Sequence, residues 1–208
     1  INSPDSVYGG SSRSWESKES FEHFAAMMFE FIKAPVYTQE EVIGLADLEP
    51  GTEETIDALM QLDTGVITVI PHLGNFEFLA RWTGCRGHDL TAVVREPDDP
   101  AFAGLVDELR TGCNYKVVNK GNAFRPLLRA LANRGAVGIL PDQNSGDCFV
   151  PFFGMPAGTV LGPAKLAAAT GAPIMPLFCT REPDDRYRIW FGEQITPDPD
   201  ARSLGESE

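Results

Sequence analysis

Val66-Ile67-Thr68-Val69-Ile70-Pro71-His72-Leu73-Gly74-Asn75-Phe76-Glu77 sets the reading of the whole chain. Residues 66–70 form an apolar, β-branched run, which predicts a buried strand. Asn75 is a good helix N-cap, and residues 75–84 read as a helix. Gly74 allows a tight turn between the two. His72 therefore stands at the carboxyl end of a strand, with Glu77 on the first turn of the next helix.

The alternation continues outward. Residues 52–62 read as a helix before the strand. After it come a strand at 90–95, a helix from Pro100 to about Thr111, a short strand at 115–118 and a helix at 122–133 that ends at Gly135. A strand at 136–140, a helix at 161–170 closed by Gly171, and strands at 174–180 and 187–191 complete the series. This pattern predicts an α/β fold in one domain, with a mixed, mostly parallel sheet covered by helices. Ligands of such sheets bind beyond the carboxyl ends of the strands, and His72, Arg95 and Asp142 all fall there.

Residues 1–14 read as a polar loop, and Ser17 or Ser20 as the cap of a helix running to about Lys33. Phe21, Phe24, Met28 and Ile32 share one face of that helix at helical spacing, and Met27, Phe29 and Phe31 widen it. A helix apolar nearly all round is buried, or lies against a partner or a membrane. Core packing is the expectation for this one.

With 208 residues, the chain can build one α/β domain with a substantial core. A formal charge of −13 argues against nucleic acid as a partner. The sign is uneven: residues 109–141 contain no Asp or Glu, but carry Arg110, Lys116, Lys120, Arg125, Arg129 and Arg134. Such a segment is either a solvated face or a dock for phosphate. No window holds the roughly 18 uninterrupted apolar residues of a membrane span, and no signal-peptide pattern is present. Cys85, Cys113, Cys148 and Cys179 are isolated, with no C-x-x-C pair. That spacing argues against a zinc site and suits small core residues in a reducing compartment.

An imidazole titrates near neutrality and accepts a proton at working pH. A carboxylate on its other ring nitrogen fixes the tautomer and stabilises the imidazolium. Glu77, five residues on, makes His72 a candidate general base for a hydroxyl that attacks an acyl group; a histidine that caps a helix or fills a polar core is the alternative. Arg95 leaves its strand in need of an anion: a structural carboxylate, a phosphate or a developing oxyanion. Asp142 and Gln143 lie just past another strand, where Asp142 can hold Arg95, position substrate or simply make a turn. Pro151-Phe152-Phe153-Gly154-Met155-Pro156 is an apolar loop expected to be buried, as the wall of an acyl tunnel or as a plug in the core. There is no G-x-S-x-G elbow, H-E-x-x-H zinc helix, Walker A or G-x-G-x-x-G run.

The spacing from His72 to Glu77 resembles the H-x(4)-E signature of glycerolipid and glycolipid acyltransferases. Its surroundings narrow the resemblance. The segment 72–77, Val94-Arg95, residues 138–143, Pro151-Phe152-Phe153-Gly154 and residues 166–173 resemble, in order, blocks of the lipid A biosynthesis acyltransferases, the lauroyl and myristoyl transferase group. The likeness runs from about residue 21 to residue 195. It implies a glycerolipid-acyltransferase-like fold and the transfer of a fatty acyl chain from a thioester, on acyl carrier protein or coenzyme A, to a hydroxyl of a membrane glycolipid.

A lipid A precursor is the leading acceptor on this reading. Another glycolipid, such as a phosphoinositol mannoside, and an amino-acid lipid are the alternatives, along with a thioesterase and a non-catalytic lipid-binding protein of the same fold. The resemblance makes His72 the base, Glu77 its orienting partner, Arg95 the cation for oxyanion or phosphate, and Asp142 the aspartate of a D-Q block. Asn75, Gln143, Phe152, Phe153 and Gly154 are then expected on substrate, and Arg125 and Arg129 on an acidic carrier protein. It implies no metal and no bound cofactor. It places the protein on the cytoplasmic face of the bacterial inner membrane, in contact with the membrane surface. It also suggests that an N-terminal membrane helix and a C-terminal segment belong to the whole protein.

Overall fold

The computed structural model describes residues 13–95, 97, 99–111 and 115–198. Cys113 and residues 1–12 of the loop expected at 1–14 lie outside them, whereas Arg13 and Ser14 belong to the first helix, which begins before the expected caps Ser17 and Ser20. The chain order is α1 (Arg13–Lys33), α2 (Gln39–Gly44), β1 (Ala46–Leu48), α3 (Thr52–Met60), β2 (Val66–Val69), α4 (Phe76–Cys85), β3 (Leu90–Val94), α5 (Pro100–Thr111) and β4 (Lys116–Asn119). It continues with α6 (Phe124–Ala132), β5 (Ala136–Ile139), β6 (Cys148–Phe152), β7 (Met155–Thr159), α7 (Gly162–Thr170), β8 (Ile174–Arg181) and β9 (Tyr187–Phe191).

Seven strands form one sheet in the order β1-β9-β8-β2-β5-β3-β4. From β8 to β4 the strands are parallel; β9 is antiparallel to β8, and β1 is parallel to β9. The sheet is therefore mixed and mostly parallel, as the sequence predicts. Helices cover both faces, which is why the central strands are apolar without alternation. On one side Val42, Ile56, Ile70, Leu79, Trp82, Leu177 and Ile189 make a core under α2, α3 and α4. On the other, Ile67, Leu127, Leu131, Val137, Ile139 and Leu166 pack under α6 and α7.

The strand order places the crevice. From β2 the chain crosses to β3, moves out to β4, returns to β5 beside β2, and finally reaches β8 on the far side of β2. The carboxyl ends of β2 and β5 thus lie side by side where the winding changes direction, the usual ligand position in such sheets. Val69 is registered with Ile139. Counting three residues onward from each brings His72 level with Asp142.

Two expectations about apolar segments need correction. In α1, Phe21, Phe24 and Ile32 are exposed, whereas Met27 and Phe31 are buried. The helix is apolar on both sides, so its polar residues choose which side faces in. His23 Nε2 lies 3.1 Å from Gly74 O, and Glu30 meets Asn75 and Arg181. Those partners hold the His23–Met27–Glu30–Phe31 face inward, with Phe31 packed on Val106 and Leu109 of α5.

The segment expected as a buried loop is instead the hairpin β6–β7, paired only with itself as a separate two-stranded sheet. Phe152 and Phe153 are exposed at its tip, and Phe153 and Gly154 take the left-handed conformation of a two-residue hairpin turn. Two short elements were not anticipated from the sequence. One is β1; the other is α2, which starts at a capping box in which Thr38 and Glu41 cap each other's backbone N–H groups. Of the cysteines, Cys179 is buried, and burial pushes its thiol up to about 12; Cys85 and Cys148 are only partly buried.

Candidate active site

His72 is carried on the turn from β2 to α4. Gly74 has φ +66, and a Cβ there would lie 1.7 Å from Cys179 O, so the turn accepts only glycine in this conformation. Asn75 caps α4 by accepting a hydrogen bond from Phe78 N–H at 2.8 Å, as expected from sequence. The turn thereby fixes the imidazole above the sheet edge, with its ring edge-to-face against Phe76 at 5.1 Å between centroids.

The carboxylate that holds this ring is Asp142. His72 Nδ1 lies 2.6 Å from Asp142 Oδ1, and the His72 main-chain N–H donates to Oδ2 at 2.7 Å. Burial alone would raise the Asp142 pKa, but the hydrogen bonds from the His72 ring and main chain outweigh it and hold the carboxyl below its usual range. An ionised Asp142 can only accept, so in a neutral ring the proton belongs on Nδ1 and the lone pair on Nε2. Nε2 faces the Gln143 side-chain amide at 3.3 Å. About a third of the His72 side chain is open to solvent, and Gln143 is itself exposed, so a substrate hydroxyl would reach Nε2 by taking the place of that amide.

Glu77 does not play the part expected of it. It is paired with Arg110, whose Nε and Nη2 both donate to the carboxylate, and Tyr115 OH lies 3.5 Å from Oε2. Both side chains are about nine-tenths shielded. Burial opposes the charge on Arg110, but the bond to Glu77, the charge of Glu77 and the contact with Tyr115 together outweigh it and raise the guanidinium pKa. Glu77 sits on the flank of α4 turned away from His72, so it ties α4 to α5. The H-x(4)-E spacing brings the two residues close in sequence, but His72 lies on the turn before α4, and Glu77, in the first turn of α4, bonds to Arg110 instead.

Asn75 also moves from the expected substrate side to the interior. It is 1% exposed, and its amide donates to Glu30 Oε2 at 2.6 Å and to Tyr187 OH at 3.3 Å. With Arg181 on Glu30, these residues form a polar cluster under α1 that no sequence pattern signalled. A cavity of about 240 Å³ lies behind α4, lined in part by Phe31, Val42, Glu77, Phe78 and Tyr187, and His72 does not border it. Arg95 leaves the end of β3 with an exposed side chain, beside the strand that carries Asp142. Arg125 and Arg129 are both exposed on the outer face of α6, opposite buried Leu127 and Leu131. Phe152, Phe153 and Gly154 lie out on the hairpin, away from any buried wall.

The arrangement at His72 and Asp142 can serve as a histidine base with an orienting aspartate. A phosphatidylinositol mannoside acyltransferase of Mycobacterium tuberculosis (strain ATCC 25618 / H37Rv) is 26% identical over 190 residues, covering 88% of this chain and 58% of the relative. The protein of that name from Mycolicibacterium smegmatis (strain ATCC 700084 / mc(2)155) is 26% identical over 145 residues, 67% of this chain and 46% of the relative. The chain thus spans about half the length of these relatives. The family described as bacterial lipid A biosynthesis acyltransferase matches residues 14–204. With that match covering nearly the whole sequence, the chain belongs to the bacterial lipid A biosynthesis acyltransferase family.

Proposed function

We propose that the protein transfers a fatty acyl chain from a thioester to a sugar hydroxyl of a membrane glycolipid, with His72 as general base and Asp142 as its orienting carboxylate. The observation that carries the reading is the double contact between those two residues, which leaves Nε2 as the ring nitrogen that takes the proton once the acceptor hydroxyl displaces the exposed Gln143 amide from it. Nε2 removes the proton of the acceptor hydroxyl as its oxygen attacks the thioester carbonyl carbon. The tetrahedral oxyanion then collapses, the C–S bond breaks, and the departing thiolate takes the proton back from the imidazolium. The products are an ester and a free thiol. Arg95 and the Gln143 amide are the donors assigned to the oxyanion or to a substrate phosphate.

The donor is acyl carrier protein or coenzyme A, with Arg125 and Arg129 as the cations offered to an acidic carrier. The place of action is the cytoplasmic face of the bacterial inner membrane. Among acceptors, the names of the relatives favour a phosphatidylinositol mannoside over a lipid A precursor, although the family's description names lipid A. Labelled acyl thioester supplied to the full-length protein with each acceptor in turn tests the reading. Label in one lipid supports transfer and names the acceptor. Label released as free fatty acid would make the protein a thioesterase, and label left on the donor would make it a binding protein.

A further inference from the structure

We propose that the β6–β7 hairpin is a membrane wedge that dips its aromatic tip into the lipid bilayer beside the active site. This deepens the reading of a membrane acceptor, although its evidence is independent of the chemistry. Residues 148–164 contain no charged side chain. At the tip Phe153 is 93% exposed, and Phe149, Val150, Phe152 and Met155 are exposed as well.

The geometry selects a fluid apolar phase over a protein groove. Neighbouring strand residues point to opposite faces, and Phe149 and Val150 are both exposed, so the blade is apolar on two sides. A groove would cover one side; a bilayer surrounds both. Pro151 and Pro156 are registered partners. Phe152 and Met155 flank the turn and form the bonded pair, so the next pair is the one whose N–H groups would point outward. Proline removes those two donors. This blocks strand addition by another chain and lowers the cost of placing the hairpin edges in lipid.

The base of the hairpin is cationic and joined to the site. Asp147 directly precedes β6, and the charges of Lys165 and Lys120 both bear on it. Both lysines are exposed. Leu161 N–H donates to Asp147 Oδ2 at 3.1 Å, and Ser145 N–H donates to Gly158 O at 3.2 Å. These bonds anchor the hairpin to the loop that begins at Asp142. An aromatic tip above a basic collar is the pattern of an interfacial anchor on an anionic membrane.

The test uses the full-length protein and vesicles of phosphatidylcholine with and without anionic phosphatidylglycerol. In the Phe153→Trp variant, emission in excess of the parent's is expected to shift to the blue on adding anionic vesicles, and to be quenched by lipids brominated on their acyl chains. In the Phe152→Asp/Phe153→Asp variant, checked for folding by its thermal transition, vesicle affinity is expected to fall about tenfold or more. Lys120→Glu/Lys165→Glu is expected to remove the preference for anionic vesicles. Vesicle binding without a blue shift would overturn the proposal. A shift that rises with protein concentration alone would point to a second copy, and a shift produced by soluble acyl thioester alone would make the hairpin a substrate lid; either result overturns it. Because these readouts do not need turnover, failure of the acyl-transfer reading would leave them interpretable.

Discussion

His72 and Asp142 meet twice, through Nδ1 and Oδ1 at 2.6 Å and through the His72 main-chain N–H and Oδ2 at 2.7 Å. The second bond fixes the carboxylate independently of the ring, so the ring is held against a stationary acceptor. Asp142→Asn keeps the shape but loses the charge that retains the Nδ1 proton. Acyl transfer per folded molecule is expected to fall on the order of 10²-fold or more. Glu77→Gln is expected to lower stability while leaving the rate per folded molecule close to that of the parent. Rates normalised to the folded fraction decide the matter; an equal loss in both variants would return Glu77 to the base.

The Glu77–Arg110 pair is expected to behave as a buried ion pair. Arg110→Met leaves an unpaired carboxylate in a shielded site and should cost about 3 kcal/mol. Adding Glu77→Gln to it should recover part of that loss, since the stranded charge is gone. Urea unfolding of the two single variants and the double variant measures the coupling; additive losses would show that the pair contributes nothing.

Asp142 makes stability depend on pH in a defined direction. Its carboxyl is depressed in the folded state, so its contribution is fully present above the unfolded value of about 3.9 and is lost as pH falls through the lower folded value. The stability difference between the parent and Asp142→Asn should therefore shrink as pH falls from the unfolded value through the lower folded one. Unfolding midpoints measured across the acid range would show it. A difference that does not change with pH would contradict the depressed value.

Gly74→Ala introduces a Cβ 1.7 Å from a main-chain oxygen at a positive φ. The loss should exceed about 1 kcal/mol, and the turn must shift, so activity should fall with stability. Denaturant unfolding and acyl-transfer assays on the same sample check both; an alanine variant as stable and active as the parent would show that the turn is not the constraint.

Much of the sheet was legible because strand runs such as 66–70 and helix boundaries such as Gly171 are local signals. The identity of the His72 partner was not. Glu77 is close in sequence, whereas Asp142 is brought in by the pairing of Val69 with Ile139, and strand order is a non-local property. Arg110, the partner of Glu77, was visible only as one cation in an acid-free segment. The exposed hairpin misled for a different reason: Phe152 and Phe153 read as buried, in a tunnel wall or a core plug, and apolar composition alone does not tell burial from exposure at a hairpin tip. In α1 the spacing of apolar residues fitted two faces, and only the partners of His23 and Glu30 chose between them.

The central claim is that His72 takes the proton of the acceptor hydroxyl. The most direct measurement is acyl transfer to glycolipid by full-length His72→Ala protein, compared with the parent at saturating acyl thioester. The account predicts a rate lower by about 10²–10⁴-fold, with folding intact. Transfer at the parent's rate would contradict it.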